Sequence, residues 1–169
     1  MRKYMMSVMV VGCALCLVAS VVFAQDKELS PIAKKTKAIV EAAHAFVSEH
    51  SEDMAAVQKA FEEDPRFRDD ENGLYIFMHC YNAEKEEAIC CGQGENPALV
   101  GRNMWNLRTP SGRLVFHEYV ELIEKYDEFW LEYDWLNPQQ KIQTKHSFFK
   151  KIVLKDGRNA WVGCGYWKN

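Results

Sequence analysis

Residues 130–151 read WLEYDWLNPQQKIQTKHSFFKK and carry the most chemically suggestive side chains of the chain in two alternating runs. In the first, Phe129, Leu131, Tyr133 and Trp135 share one face and Trp130, Glu132 and Asp134 the other, because successive strand side chains point to opposite sides. In the second, Lys145, Ser147 and Phe149 alternate with His146, Phe148 and Lys150. A lysine aimed inward among rings is costly unless an anion meets it. A carboxylate would return ~1.5–3 kcal/mol through charge-assisted hydrogen bonds and would itself be oriented. The candidate chemistry is therefore capture of a small anion by Lys145. The competing placements are a solvated edge charge or an internal ion pair with Glu132 or Asp134. Lys145 and Phe148 enter one pocket together only if a bulge or twist breaks the alternation.

Other chemistries are less well supplied. Beyond the N-terminal segment the cysteines are Cys80, Cys90, Cys91 and Cys164. Four cysteines allow three pairings, and the sequence does not choose among them. Cys90 and Cys91 point to opposite faces of a strand, so at most one of them easily meets Cys80 across a hairpin; buried small side chains with one bridge is the plainer reading. No CxxC, CxxCH or paired CxxC motif occurs, and neither a metal nor a cofactor is expected. An enzyme built on Cys90 and Cys91, or on His117 or His146, needs a nucleophile, a base and an orienting group, and no such motif is recognisable. His44 and His50 read as ordinary histidines. The formal charge of −3 comes with no basic run, which argues against nucleic acid.

These residues need a scaffold. At the N-terminus a basic start, MRKY, an uncharged apolar run and a small-residue site ending at Ala24 predict a cleaved signal peptide over 1–24. Its loss would leave 145 residues and, without Arg2 and Lys3, take the charge from −3 to −5. VVGC, ending at Cys13, loosely resembles a lipoprotein box, and an uncleaved anchor is the remaining alternative. With 12% Phe, Trp and Tyr, residues 25–169 are expected to form one packed domain. Ile32, Ile39, Ala43, Phe46 and Val47 recur at helical spacing behind Ser30 and Pro31, a cap and first-turn pair. Ser51 is the expected cap of a second helix carrying Met54, Val57 and Phe61 and stopped by Pro65. From residue 73 the period becomes two, with a hairpin around NAEKEE. A Gly-, Asn- and Pro-rich connection follows, then a helix with Phe116, Val120 and Ile123 on one stripe. Runs at FWLEYDWL, TKHSFFKKIVL and AWVGCGYW, joined by NPQQ and KDGRN, complete an antiparallel sheet. One face is covered by the long helix. Only the 92–126 connection is long enough to cover the other, so the expected cavity lies beneath it.

LYIFMHC, NPALVGRNMWNL, PSGR, WLEYDW, KHSFF and WVGCGYW, in that order over residues 30–167, resemble the successive motifs of the single Cache domain family of extracytoplasmic, PAS-like sensor modules. The ordered series is more specific than any one of its motifs. The resemblance implies an α+β fold, with a long N-terminal helix packed on a five-stranded antiparallel sheet, and a pocket for a small metabolite such as a short carboxylate. It nominates Lys145, Tyr133, Trp135, Trp105, Phe77, Phe148 and Tyr75 as ligand-binding residues. Two positions depart from the pattern. CCGQG stands where relatives carry a His-Pro pair, and Phe148 stands where many carry Tyr, which points to a different or less polar ligand. One missing hydroxyl bond is worth on the order of 1 kcal/mol.

The expectation is a periplasmic or secreted binding module without enzymatic activity. Its output is expected through another chain, a membrane-bound sensor or transporter. The alternatives are an enzyme using Cys or His chemistry and a structural envelope subunit with a degenerate pocket.

Overall fold

The computed structural model describes residues 29–168. The expected signal segment 1–24, with Cys13 and Cys16, lies outside the described residues. Helix α1 spans Pro31–His50 and begins as its sequence dictates. The Ser30 hydroxyl accepts the Ala33 N–H at 3.3 Å, and Pro31 sits in the first turn, where a missing N–H breaks no helical bond. Ala33, Thr36, Ile39, Val40, Ala43 and Val47 form the buried stripe. The one polar member is satisfied, since the Thr36 hydroxyl donates to Ile32 O at 2.8 Å.

Helix α2, Met54–Glu63, corrects the expected cap. Asp53, not Ser51, accepts the Ala56 N–H, at 3.0 Å. A capping side chain must stand immediately before the first helical residue to reach the free N–H groups, and Ser51 is two positions too early. Ser51 instead closes α1, and its hydroxyl accepts the Lys155 N–H at 3.0 Å, tying that helix end to the far end of the sheet.

A two-residue ribbon, β1 (Arg68–Asp69) with β2 (Leu74–Tyr75), leads into the main sheet. Its strands are β3 (Phe77–Asn82), β4 (Glu87–Gln93), β5 (Glu128–Leu136), β6 (Ile142–Val153) and β7 (Asn159–Trp167), in the order β4-β3-β7-β6-β5 and antiparallel throughout. Helix α3, Val115–Lys125, and the connection before it lie across one face. That connection contains a short helical turn at Pro97–Leu99 and touches β4 through an Ile89–Asn103 bridge.

Period-two alternation separates two cores. Towards α1 and α2 pack Val40, Val47, Phe61, Met78, Phe148 and Val162. Towards α3 pack Phe77, Trp105, Phe116, Tyr119, Tyr133, Phe149 and Trp161. This is the long helix on five antiparallel strands that the sequence predicts, with the second face covered by the segment expected to cover it.

Cys80 and Cys91 form a disulfide, and Cys90 and Cys164 are free and buried. The pairing follows from a bulge. His79 pairs with Cys90 while Met78 pairs with Gly92, so Cys91 is the extra residue, on the α1 side with Cys80. No helix among the described residues is long and apolar enough to cross a membrane.

Candidate functional site

On the α3 face, β6 presents Lys145, and its side chain is buried at 2% exposure. Its Nζ donates to the Tyr75 hydroxyl at 2.9 Å. The ring of Tyr75 lies 4.2 Å from the ammonium, that of Trp167 5.0 Å and that of Phe77 5.5 Å, all within the range of cation–π attraction. Both competing placements fail. The charge is not solvated, and no carboxylate of the described residues lies within 4.0 Å of it. Glu132 is engaged by Lys168 at 2.8 Å, and Asp134 accepts the Ser111 N–H at 2.7 Å and its hydroxyl at 2.6 Å. Burial opposes the charge on Lys145, but the oxygens of Tyr75 and Tyr133 and the Cys164 thiol outweigh it, so its pKa lies above the ordinary lysine value. The group is an ammonium at neutral pH, surrounded by rings and one phenol.

Tyr133 pairs directly with Lys145 across β5 and β6, and its hydroxyl meets the Ser147 hydroxyl at 3.0 Å. The strand beside it lacks side chains at two positions. Trp161, Gly163, Gly165 and Trp167 follow one another on this face of β7, and a Cβ at Gly165 would stand 2.0 Å from the Ser147 hydroxyl. One at Gly163 would stand 2.5 Å from the Phe77 ring. The glycines are therefore what lets Ser147 and Phe77 approach the sheet.

Tyr75, Phe77 and Tyr133 of the nominated set thus gather around Lys145. Trp135 stands edge-on to Tyr133 at 5.9 Å, forming the outer margin. Trp105 packs against His117 of α3 instead, with the two rings tilted and their centroids 4.3 Å apart. Phe148 is a correction. The β6 register is unbroken against both neighbours, so its side chain emerges on the α1 face, packed against Trp130 and 4.7 Å beneath the Lys37 ammonium. With no bulge to reverse the alternation, Phe148 cannot line the Lys145 chamber.

Trp167 was not among the nominated residues, although it pairs directly with Lys145. Its indole N–H is buried without a partner. The signal was legible in WVGCGYW, where two tryptophans and two glycines share one face. His79 was also missed. It lies between Phe116 and Trp161, at 4.9 and 5.4 Å, and burial pushes its pKa down to about 3.

The arrangement places an ammonium, a phenol and an indole N–H without a partner beside rings. It does not offer a nucleophile. Burial pushes the Cys90 thiol up to about 11 and the Cys164 thiol up to about 12, so both are protonated at neutral pH. No group of three His, Cys, Asp or Glu among the described residues is placed to hold a metal. An open cleft of about 780 Å³, bordered by Tyr81, Glu84, Glu124 and Arg158, lies at the opposite end of the sheet from Lys145.

A family model described as "Cache domain" matches residues 18–155. Among solved structures, a periplasmic sensor domain of a chemotaxis protein is similar at 22% identity and a TM-score of 0.64, over 83% of this chain and 100% of its own. A Cache chemosensory domain studied for carboxylic acid recognition is similar at 18% identity and a TM-score of 0.63, over 80% of this chain and 92% of its own. A methyl-accepting chemotaxis protein from Vibrio parahaemolyticus RIMD 2210633 is similar at 17% identity and a TM-score of 0.59, over 79% of this chain and 86% of its own. At these identities the likeness is one of fold. No curated protein matches the chain.

Proposed function

The chain belongs to the Cache domain family, and from that premise we propose that it is an extracytoplasmic sensor unit that binds a short carboxylate at Lys145. The observation that carries this reading is the buried ammonium, which has no carboxylate partner among the described residues and a free indole donor beside it. Removing a charge from water costs several kcal/mol, and around Lys145 it is met by rings, hydroxyls and a thiol rather than by a carboxylate. A ligand carboxylate would complete the site through charge-assisted bonds from Lys145. Tyr75 and Tyr133 would orient it, and Phe77 and Phe149 would restrict the size of whatever follows the carboxylate.

The solved Cache domain studied for carboxylic acid recognition supports the ligand class. The two chemotaxis proteins support a role in signalling through a membrane partner, here a sensor or transporter, and the N-terminal sequence pattern supports export directed by residues 1–24. Enzymatic turnover is no part of the proposal, and the protonated state of the buried thiols favours binding over thiol chemistry.

Thermal-shift measurements against short mono- and dicarboxylates, amino acids and purines test this. A bound ligand raises Tm by an amount that grows with the logarithm of its concentration over Kd. The expected result is stabilisation by a short carboxylate that Lys145→Met abolishes. No response to any carboxylate, or an equal response from Lys145→Met, would overturn the proposal.

A further inference from the structure

Lys145 is buried among rings in this structure, so a ligand reaches the ammonium only if one of them moves. We propose that this ring is Trp167, which acts as the door of the chamber and, once the ligand is in, as the second anchor of its carboxylate. The anchor role rests on the carboxylate reading above; the door role does not.

Three observations single out Trp167. First, it borders two spaces. Its indole lies 5.0 Å from the Lys145 ammonium on one side, and on the other it lines an open cleft of about 560 Å³ with Ile32, Glu71, Asn72, Tyr166 and Lys168. Of the rings around the ammonium, Trp167 and Tyr75 are half-buried, and Trp167 is the one that also borders the cleft.

Second, the alternatives are held. Phe77 is wedged against bare Gly163 and flanked by Phe149 at 5.8 Å and His79 at 6.1 Å. Tyr75 is tethered to the ammonium by its own hydroxyl. Trp167 is the last residue of β7, and β3 stops pairing with that strand at Gly163, so its backbone is held in the sheet by β6 alone. A strand end with a single paired neighbour opens more readily than the middle of a sheet.

Third, the indole N–H is buried and unpartnered. A buried donor without an acceptor costs free energy that a ligand oxygen would recover. Lys145 Nζ and Trp167 Nε1 together present two donors from directly paired residues, suited to the two oxygens of one carboxylate.

The door is tested without any ligand. In the full chain, acetylation of Lys145 by an N-hydroxysuccinimide ester is followed by peptide mass spectrometry, with exposed Lys59 as the internal reference. In Trp167→Ala, Lys145 should react about tenfold faster than in the wild type, with Lys59 unchanged, because the opening step has been removed. Trp167→Phe keeps a ring and should leave the Lys145 rate near that of the wild type. Labelling of Lys145 in Trp167→Ala that is no faster than in the wild type, in protein that still melts cooperatively, would overturn the door. If Trp167→Ala fails to fold, Trp167→Val takes its place, with the same two outcomes.

The anchor is tested with whichever of acetate, propionate, lactate, pyruvate or succinate stabilises the wild type most. Trp167→Phe should bind it about tenfold more weakly, the effect of losing one hydrogen bond to a charged group. Unchanged affinity would overturn the anchor. If none of the five stabilises the wild type, the carboxylate reading and the anchor fall together, and the labelling result still decides the door.

Discussion

The two faces of the sheet share the same five strands, yet they solve opposite problems. The α1 face is a sealed core in which Val40, Val47, Phe61 and Phe148 are fully or almost fully buried, and its one fully buried threonine is bonded within its own helix. The α3 face buries an ammonium, a histidine and a serine among rings. All four buried side-chain atoms without a partner among the described residues lie on that second side, in His79, His117, Trp161 and Trp167. A fold that needed both faces only for stability would not concentrate unsatisfied polar groups on one of them. The contrast teaches that the polar groups a binding site would use are gathered on one face, while the other is apolar packing.

The sharpest way to break this comparison uses two neighbours on β6. Phe148→Ala should cost about 3–5 kcal/mol of unfolding free energy, as buried Phe truncations do, while carboxylate affinity is retained. Lys145→Met should do the reverse, abolishing carboxylate binding while changing the unfolding free energy by less than Phe148→Ala does. Urea unfolding of both variants reads this, and equal destabilisation would erase the distinction between the faces. Next in size is the Cys80–Cys91 bridge, which joins residues 11 apart on the α1 side. Its reduction should cost about 2–3 kcal/mol through loop-closure entropy, measured by melting with and without a phosphine reductant.

His79 gives the α3 face a pH signature. Burial holds its pKa at about 3, against 6.5 in the unfolded chain. As pH falls the unfolded state takes up the proton first, so the contribution is complete above 6.5 and is lost towards 3, at about 1.4 kcal/mol per pH unit. His79→Phe should flatten that acid limb in part, since His44 and His146 also have pKa values lowered by burial and remain. An unchanged slope of stability against pH would refute this. The smallest effect belongs to the α1 cap, where Ser30→Ala should cost about 1 kcal/mol and leave binding untouched.

The layout of the fold was legible because its signals are local and periodic. Ser30 and Pro31 mark the first helix, and the alternation of residues 129–135 places Tyr133 on the site face. Phase also held the answer for Phe148, since three steps from Lys145 on a regular strand reverse the direction of a side chain. What the sequence did not reveal depended on other segments. Asp53 displaced Ser51 as a cap because the end of α1 and the Lys155 N–H claimed the serine. The choice of Cys91 over Cys90 required a bulge that only pairing with β3 defines. Trp167 could have been placed opposite Lys145 by counting outward from the KDGRN turn, and the alternation of Trp and Gly in WVGCGYW was the cue to count.

Gly163 and Gly165 carry one more consequence. Because the central strand is stripped of side chains midway along this face, Phe77 and Ser147 rest directly on its backbone, which cannot adjust a rotamer to relieve them. A methyl group at either position would displace Phe77 or Ser147 upward. Drift towards larger residues on β7 would therefore reshape the surroundings of Lys145 from beneath, through Phe77 and Ser147, without changing any residue that touches the ammonium.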